Sequence, residues 1–207
     1  MTTSRTPSII MQSLDWLYEN SVGGLPGLDS ATEMAGDYMK SEDSRTDQVN
    51  YLIRWQIAKA GTSGFINGLG GVLLMPLTIP ANISSVMYIQ IRMVAAIAHM
   101  GGHDIKDDRV KSLAYMCLCG TAAADVAKEI GIKLGTKLTE QAIKNISGKV
   151  ITEINSKVGF RLLTKFGETG LINLGKSLPL VGGVVGGTFD SVTTNTIGNV
   201  ARNTFIS

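Results

Sequence analysis

The sequence predicts an all-α protein: a single helical domain of about six to eight helices, with two Gly/Pro-rich hydrophobic hairpins. Three observations carry that prediction. No stretch alternates apolar and polar residues for the length of a strand, while apolar residues recur at helical spacing in segment after segment. Clusters of glycine and proline punctuate those segments. Charged residues make up only 17% of the chain, mean hydropathy is +0.17, and two long runs carry no charge, a composition that suits buried or membrane-contacting helices. The 207 residues suit one domain, with a helical appendage over 1–45 ahead of a helical domain over 46–207.

Residues 7–20 read as the first helix, with Ile10, Leu14, Leu17 and Tyr18 on one face. "SVGGLPGLDS" breaks it. A short helix follows over 29–41, started by Asp29 or Ser30. "KSEDSRTDQ" is a polar linker or helix start, and Tyr51 to Lys59 is helical. From Ala60 to Ile91 no residue is charged. The run is long enough to cross a bilayer, which takes about 20 apolar residues. However, Pro76, Pro80, Asn67 and Asn82 interrupt it. A Gly-rich helix or re-entrant hairpin, a turn at "MPLTIPAN" and a helix from Ile83 to His99 capped by Asn82 fit it better. "HMGGHDIKDDRV" is a loop, with Asp107 or Asp108 capping an Ala-rich helix from Arg109 to Ile130. Lys133 to Phe166 is again helical, split near Gly148. Lys133, Lys137 and Lys144 fall on one side of it.

"GLINLGKS", Gly170 to Ser177, matches the phosphate-binding P-loop pattern letter for letter. Its context does not. A P-loop follows a buried strand, whereas Phe160, Leu163 and Phe166 repeat at helical spacing. Only about 30 residues remain after the motif, too few for the parallel sheet that such a loop serves. A formal charge of +2 excludes the strongly basic surface of a nucleic-acid binder. Cys117 and Cys119, two apart on a helix, read as buried thiols of a reducing compartment. No signal peptide opens the chain, so residence in the cytoplasm or on the inner face of its membrane is expected. No cofactor is called for.

A second uncharged run spans Ser177 to Phe189. Within it Gly182, Gly183, Gly186 and Gly187 form two interleaved pairs at a spacing of four, as do Gly64/Gly68 and Gly131/Gly135. Such pairs let another helix backbone approach closely. Gly71 belongs to the same Gly-rich stretch.

The order of these elements resembles the EcsC family of bacterial helical proteins. The resemblance rests on Gly68 to Gly71, Pro76, Pro80, Gln90, Arg92, Met93, His99, Gly102, Asp104, Asp108 and Val110. Its C-terminal part rests on Pro179, Gly182, Gly183, Gly187, Asp190, Thr194, Gly198 and Ala201. It covers about residues 50–206 and implies an EcsC-like helical domain over 46–207. The family takes its name from a gene accompanying an ABC transporter, so a transport or secretion component is an implied partner.

Candidate chemistry is sparse. His99, His103, Asp104, Asp107 and Asp108 form the one dense cluster of ligand types. His99 and His103 stand four apart, the spacing of helical zinc sites, but Gly101 and Gly102 lie between them. His99, His103 and Asp104 are therefore weak metal candidates, and Asp107 and Asp108 are explained as caps. Arg92 sits in an otherwise apolar helix and needs a partner, with Asp125 and Asp190 as the candidates. No catalytic constellation is visible. The expectation is a non-enzymatic, membrane-associated protein. Gly64 to Pro80 and Leu178 to Phe189 would insert into or lie on the bilayer, Lys133, Lys137 and Lys144 would meet lipid headgroups, and the Gly pairs would allow homo-oligomers. A soluble domain binding an apolar ligand or a protein, and a metal-dependent enzyme using Arg92, His99, Asp104 and Asp190, are the alternatives.

Overall fold

A computed structural model describes residues 5–60, 81–132, 138–173 and 182–206. Among them are nine α-helices: α1 (Arg5–Gly23), α2 (Ala31–Tyr38), α3 (Arg45–Ala60), α4 (Ala81–Met100), α5 (Asp108–Cys117), α6 (Ala123–Glu129), α7 (Glu140–Lys144), α8 (Gly148–Asn173) and α9 (Gly182–Phe205). The described residues contain no strand; Leu25 and Leu28 form one isolated bridge. The all-α expectation holds.

Local chemistry sets the helix ends. α1 stops where Gly24 takes a φ of +83°. A tight turn follows over Leu25–Leu28, closed by the Leu28 N–H on the Leu25 carbonyl at 2.9 Å, with Pro26 ahead of Gly27 at φ +78°. Ser30 then starts α2 with a reciprocal box: its Oγ accepts from the Glu33 N–H, and the Glu33 carboxylate accepts from the Ser30 N–H. The C-terminus of α4 closes with the Gly102 N–H on the His99 carbonyl and the His103 N–H on the Ala98 carbonyl, and Gly102 is left-handed at φ +81°. Asp107 caps α5 through the Arg109 N–H at 2.7 Å. Thr139 caps α7. Asn82, expected as a cap, lies inside the first turn of α4.

The long helix expected from Arg109 to Ile130 is two. It breaks over 118–122, where Gly120 adopts φ +60° and the chain passes through a 3-10 turn before α6. Alanine content had masked the break, because one glycine in a left-handed conformation ends a helix whatever surrounds it.

α4 is the axis of the fold. α1, α2, α3, α5 and α9 all pack on it, and α8 lies outside against α1 and α5. Of its side chains from Ser85 to Met100, all but His99 are buried. A helix that is apolar on every side belongs in a core. That explains why residues 85–91 carry no charge: they are enclosed by protein. Leu14, Leu17, Tyr18, Met34 and Ala35, from the N-terminal 45 residues, share one continuous core with α3, α4, α5 and α9.

Of the two expected hydrophobic hairpins, the first, including Gly64, Gly68 and Gly71, lies outside the described residues. The second is helix from Gly182 onward, although each glycine there costs about 1 kcal/mol against alanine. What Gly182, Gly183, Gly186 and Gly187 pack against lies outside the described residues. Gly131 is described and ends α6 at φ +76°, so it serves as a C-cap; Gly135 is not described. Among the described residues no helix is long and apolar enough to cross a membrane.

Candidate functional site

Tyr88, Arg92 and His99 lie four and then seven residues apart on α4, which places them along one face. The Arg92 side chain is 2% exposed. Its Nη1 donates to the Asp29 carbonyl at 3.0 Å, and its guanidinium lies 5.4 Å from the Tyr88 ring centre. Among the described residues its Nε and the Gln56 Oε1 are buried without a hydrogen-bond partner. Gln56 reaches in from α3, donating to the Met34 Sδ at 3.4 Å. Burial, then the Arg92 charge, lowers the pKa of Lys59, with Asp29 acting in the opposite direction. Burial raises the Tyr88 phenol and the Arg92 cation opposes it. Arg92 thus ties the start of α2 to the central helix through a backbone carbonyl.

Of the two expected partners of Arg92, Asp125 is not beside it. Asp125 is exposed in the first turn of α6 and forms no ion pair with Arg92; the Asp190 side chain lies outside the described residues. The residues that do surround Arg92 come from α2, α3 and the turn before α2. The one signal for them in the sequence is Tyr88, one helical turn before Arg92.

His99 lines an open groove of about 630 Å³ at the C-terminal end of α4, with Ser30, Glu33, Gly102, His103 and Asp104. The metal candidates are not assembled as a metal site. His103 is drawn to the chain's end, its Nε2 3.2 Å from the Phe205 carbonyl and its ring 5.4 Å from that of Phe205. Asp104 accepts from the Lys106 N–H at 2.9 Å, closing its own turn. Among the described residues no group of three or more His, Cys, Asp or Glu could hold a metal. His99 and Asp104 line the same groove, and Arg92 is not among its lining residues.

The P-loop match is decided by its first half. Gly170 to Asn173 are the last residues of α8, so the segment before the motif is helix where a strand is required. Leu174 to Ser177 lie outside the described residues. Cys117 and Cys119 are buried and form no disulfide among the described residues.

A different feature emerges from helix directions. α4 and α9 run parallel: Gln90 bonds Thr194 at 3.1 Å, and His103, just past α4, meets Phe205. α3 runs antiparallel to α9, since Arg202 bonds Asn50 while Gly198 faces Ile53. The end of α3 at Ala60 and the starts of α4 at Ala81 and α9 at Gly182 therefore share one end of the bundle. The uncharged segment 61–80 joins Ala60 to Ala81, and the other uncharged run enters α9 at the same end.

Lys144 is elsewhere. The residues just before its helix meet the far end, where the Leu138 N–H bonds the Thr204 carbonyl at 3.2 Å. Lys144 itself is paired with Glu140. It shares no surface with the end at which the uncharged segments leave. Lys133 and Lys137 lie outside the described residues.

The EcsC protein family matches residues 28–206, nearly the whole chain. No curated protein and no solved structure matches it.

Proposed function

We propose, for a chain that belongs to the EcsC protein family, a non-enzymatic role at a membrane surface, with one end of the bundle laid on or partly into the bilayer. The observation that supports this reading is the shared exit of the two uncharged segments. Residues 61–80 and 177–189 contain no charged side chain, and helix directions bring their anchor points to one end. Among the described residues no helix is fit to span a bilayer, and the reading assigns membrane contact to these two segments. The reading puts the protein at the inner face of the membrane, serving a transport or secretion system, with homo-oligomers formed through the Gly-rich segments.

The test is liposome flotation with a high-salt wash. Wild type is expected to float and to resist salt. A Leu73→Asp/Val184→Asp double variant places a charge in each segment and is expected to lose salt-resistant flotation while keeping its helical circular dichroism. Wild type that stays with the soluble fraction, or a double variant that floats like wild type, contradicts the proposal. The groove at His99, sized for a small molecule, supports a second reading, a ligand-binding soluble domain. Loss of a co-purified small molecule in His99→Ala would favour it.

A further inference from the structure

We propose that the outer face of α3, carrying Tyr51, Arg54 and Trp55, is the headgroup-level anchor that docks the bundle on an anionic bilayer. This rests on the membrane reading above and names the residues and lipid class that reading leaves open.

Trp55 and Tyr51 are the large aromatic side chains most exposed on α3, at 60% and 49%. One turn apart, they share a face, and the Arg54 guanidinium lies 5.7 Å from the Tyr51 ring centre. An exposed Trp beside an exposed Tyr is unusual on a surface bathed only in water. At a membrane interface the same rings set their apolar bodies against the acyl boundary and their polar edges in the headgroups.

Their level fits that interface. Trp55 precedes Ala60, where the uncharged segment begins, by five residues, which is about 7.5 Å along the helix axis. The headgroup layer on each side of a bilayer is about 5–8 Å thick. If the uncharged segments meet the hydrocarbon, Trp55 stands at the headgroups and Tyr51 just beyond them.

Along α3 beyond Asp47 the charged residues are Arg54 and Lys59. That basic stretch complements anionic lipid, which attracts each nearby basic residue by about 1 kcal/mol. The Lys144 helix, at the other end, takes no part.

Trp16 and Trp55 are the two tryptophans, so a Trp16→Phe background makes Trp55 the reporter in the full-length chain. The vesicles are phosphatidylcholine alone and phosphatidylcholine mixed with phosphatidylglycerol, with brominated acyl chains as quenchers. On the mixed vesicles Trp55 emission should shift to the blue and be quenched most by bromine near the headgroups. Arg54→Glu should weaken partitioning to mixed vesicles by at least about tenfold, and by much less to neutral vesicles. If Trp16→Phe does not fold, the difference between wild type and Trp55→Phe gives the same signal. Flotation with Trp55 emission unchanged and still open to aqueous quencher overturns the anchor and leaves the membrane reading standing. Failure to float at all removes both. Shielding of Trp55 in vesicle-free protein that sediments as a dimer overturns the anchor in favour of a second copy on this face.

Discussion

At the scale of the residue, Arg92 is the least comfortable group in the core. It is a buried cation held, among the described residues, by one carbonyl and one ring, and removing a charge from water costs several kcal/mol unless it is well paired. Its stem nevertheless fills space against α2 and α3. The two roles separate by substitution. Arg92→Ala should lower stability by about 2–4 kcal/mol, as a cavity does, whereas Arg92→Met should stay within about 1 kcal/mol of wild type or exceed it. Urea unfolding followed by circular dichroism reads both. Equal losses in the two variants would mean that the charge itself holds the fold. Arg92 could be singled out from the sequence because a lone charge in an apolar helix is conspicuous. Its carbonyl partner could not, since no sequence pattern marks a backbone oxygen of a distant turn.

At the scale of the element, helix contacts are set by small residues. Gly198 lies where α9 crosses α3, and a Cβ there would come within 2.8 Å of the Ile53 side chain. In an isolated helix Gly→Ala gains about 1 kcal/mol. Here the overlap, worth about 1–3 kcal/mol, should reverse the sign. Gly198→Ala is expected to lower the melting temperature, and adding Ile53→Val should recover part of the loss. A stabilised Gly198→Ala would show that α3 and α9 sit further apart than described. The buried Gln90–Thr194 pair ties α4 to α9 in the same way. Gln90, Thr194 and Gly198 all stood out in the family resemblance, but their mutual placement did not. Spacing within a helix is legible, while the crossing of two helices depends on side chains far apart in sequence.

For the whole molecule, the tyrosines set an alkaline limit. Burial holds the Tyr18 and Tyr115 phenols well above their usual range, with Asp104 adding for Tyr18 and Asp15 for Tyr115. The two rings pack edge to face at 5.7 Å between α1 and α5. In the unfolded chain they ionise near pH 10, while in the folded protein they keep their protons. The unfolded state therefore binds fewer protons above that pH, and stability falls as pH rises. The expected loss is about 1.4 kcal/mol per pH unit for each phenol. Denaturant unfolding at a series of pH values above 9 checks this, and Tyr18→Phe should reduce the slope by about 1.4 kcal/mol per pH unit. A profile that stays flat in wild type would mean that both phenols reach solvent.

The sequence by itself determined the helical class, most helix starts and stops, the rejection of the P-loop and the family. Each depends on local rules: periodicity, capping side chains and glycines whose conformation a neighbour cannot override. It also marked the uncharged runs, but hydropathy treats a core and a bilayer alike. Only the tertiary structure enclosed residues 85–91 in protein. It also turned Arg92 toward the Asp29 carbonyl rather than Asp125, separated Lys144 from the uncharged segments and gathered their anchor points at one end. Those outcomes follow from how the described helices fill one core, and packing is a property of the assembled chain that no local stretch carries.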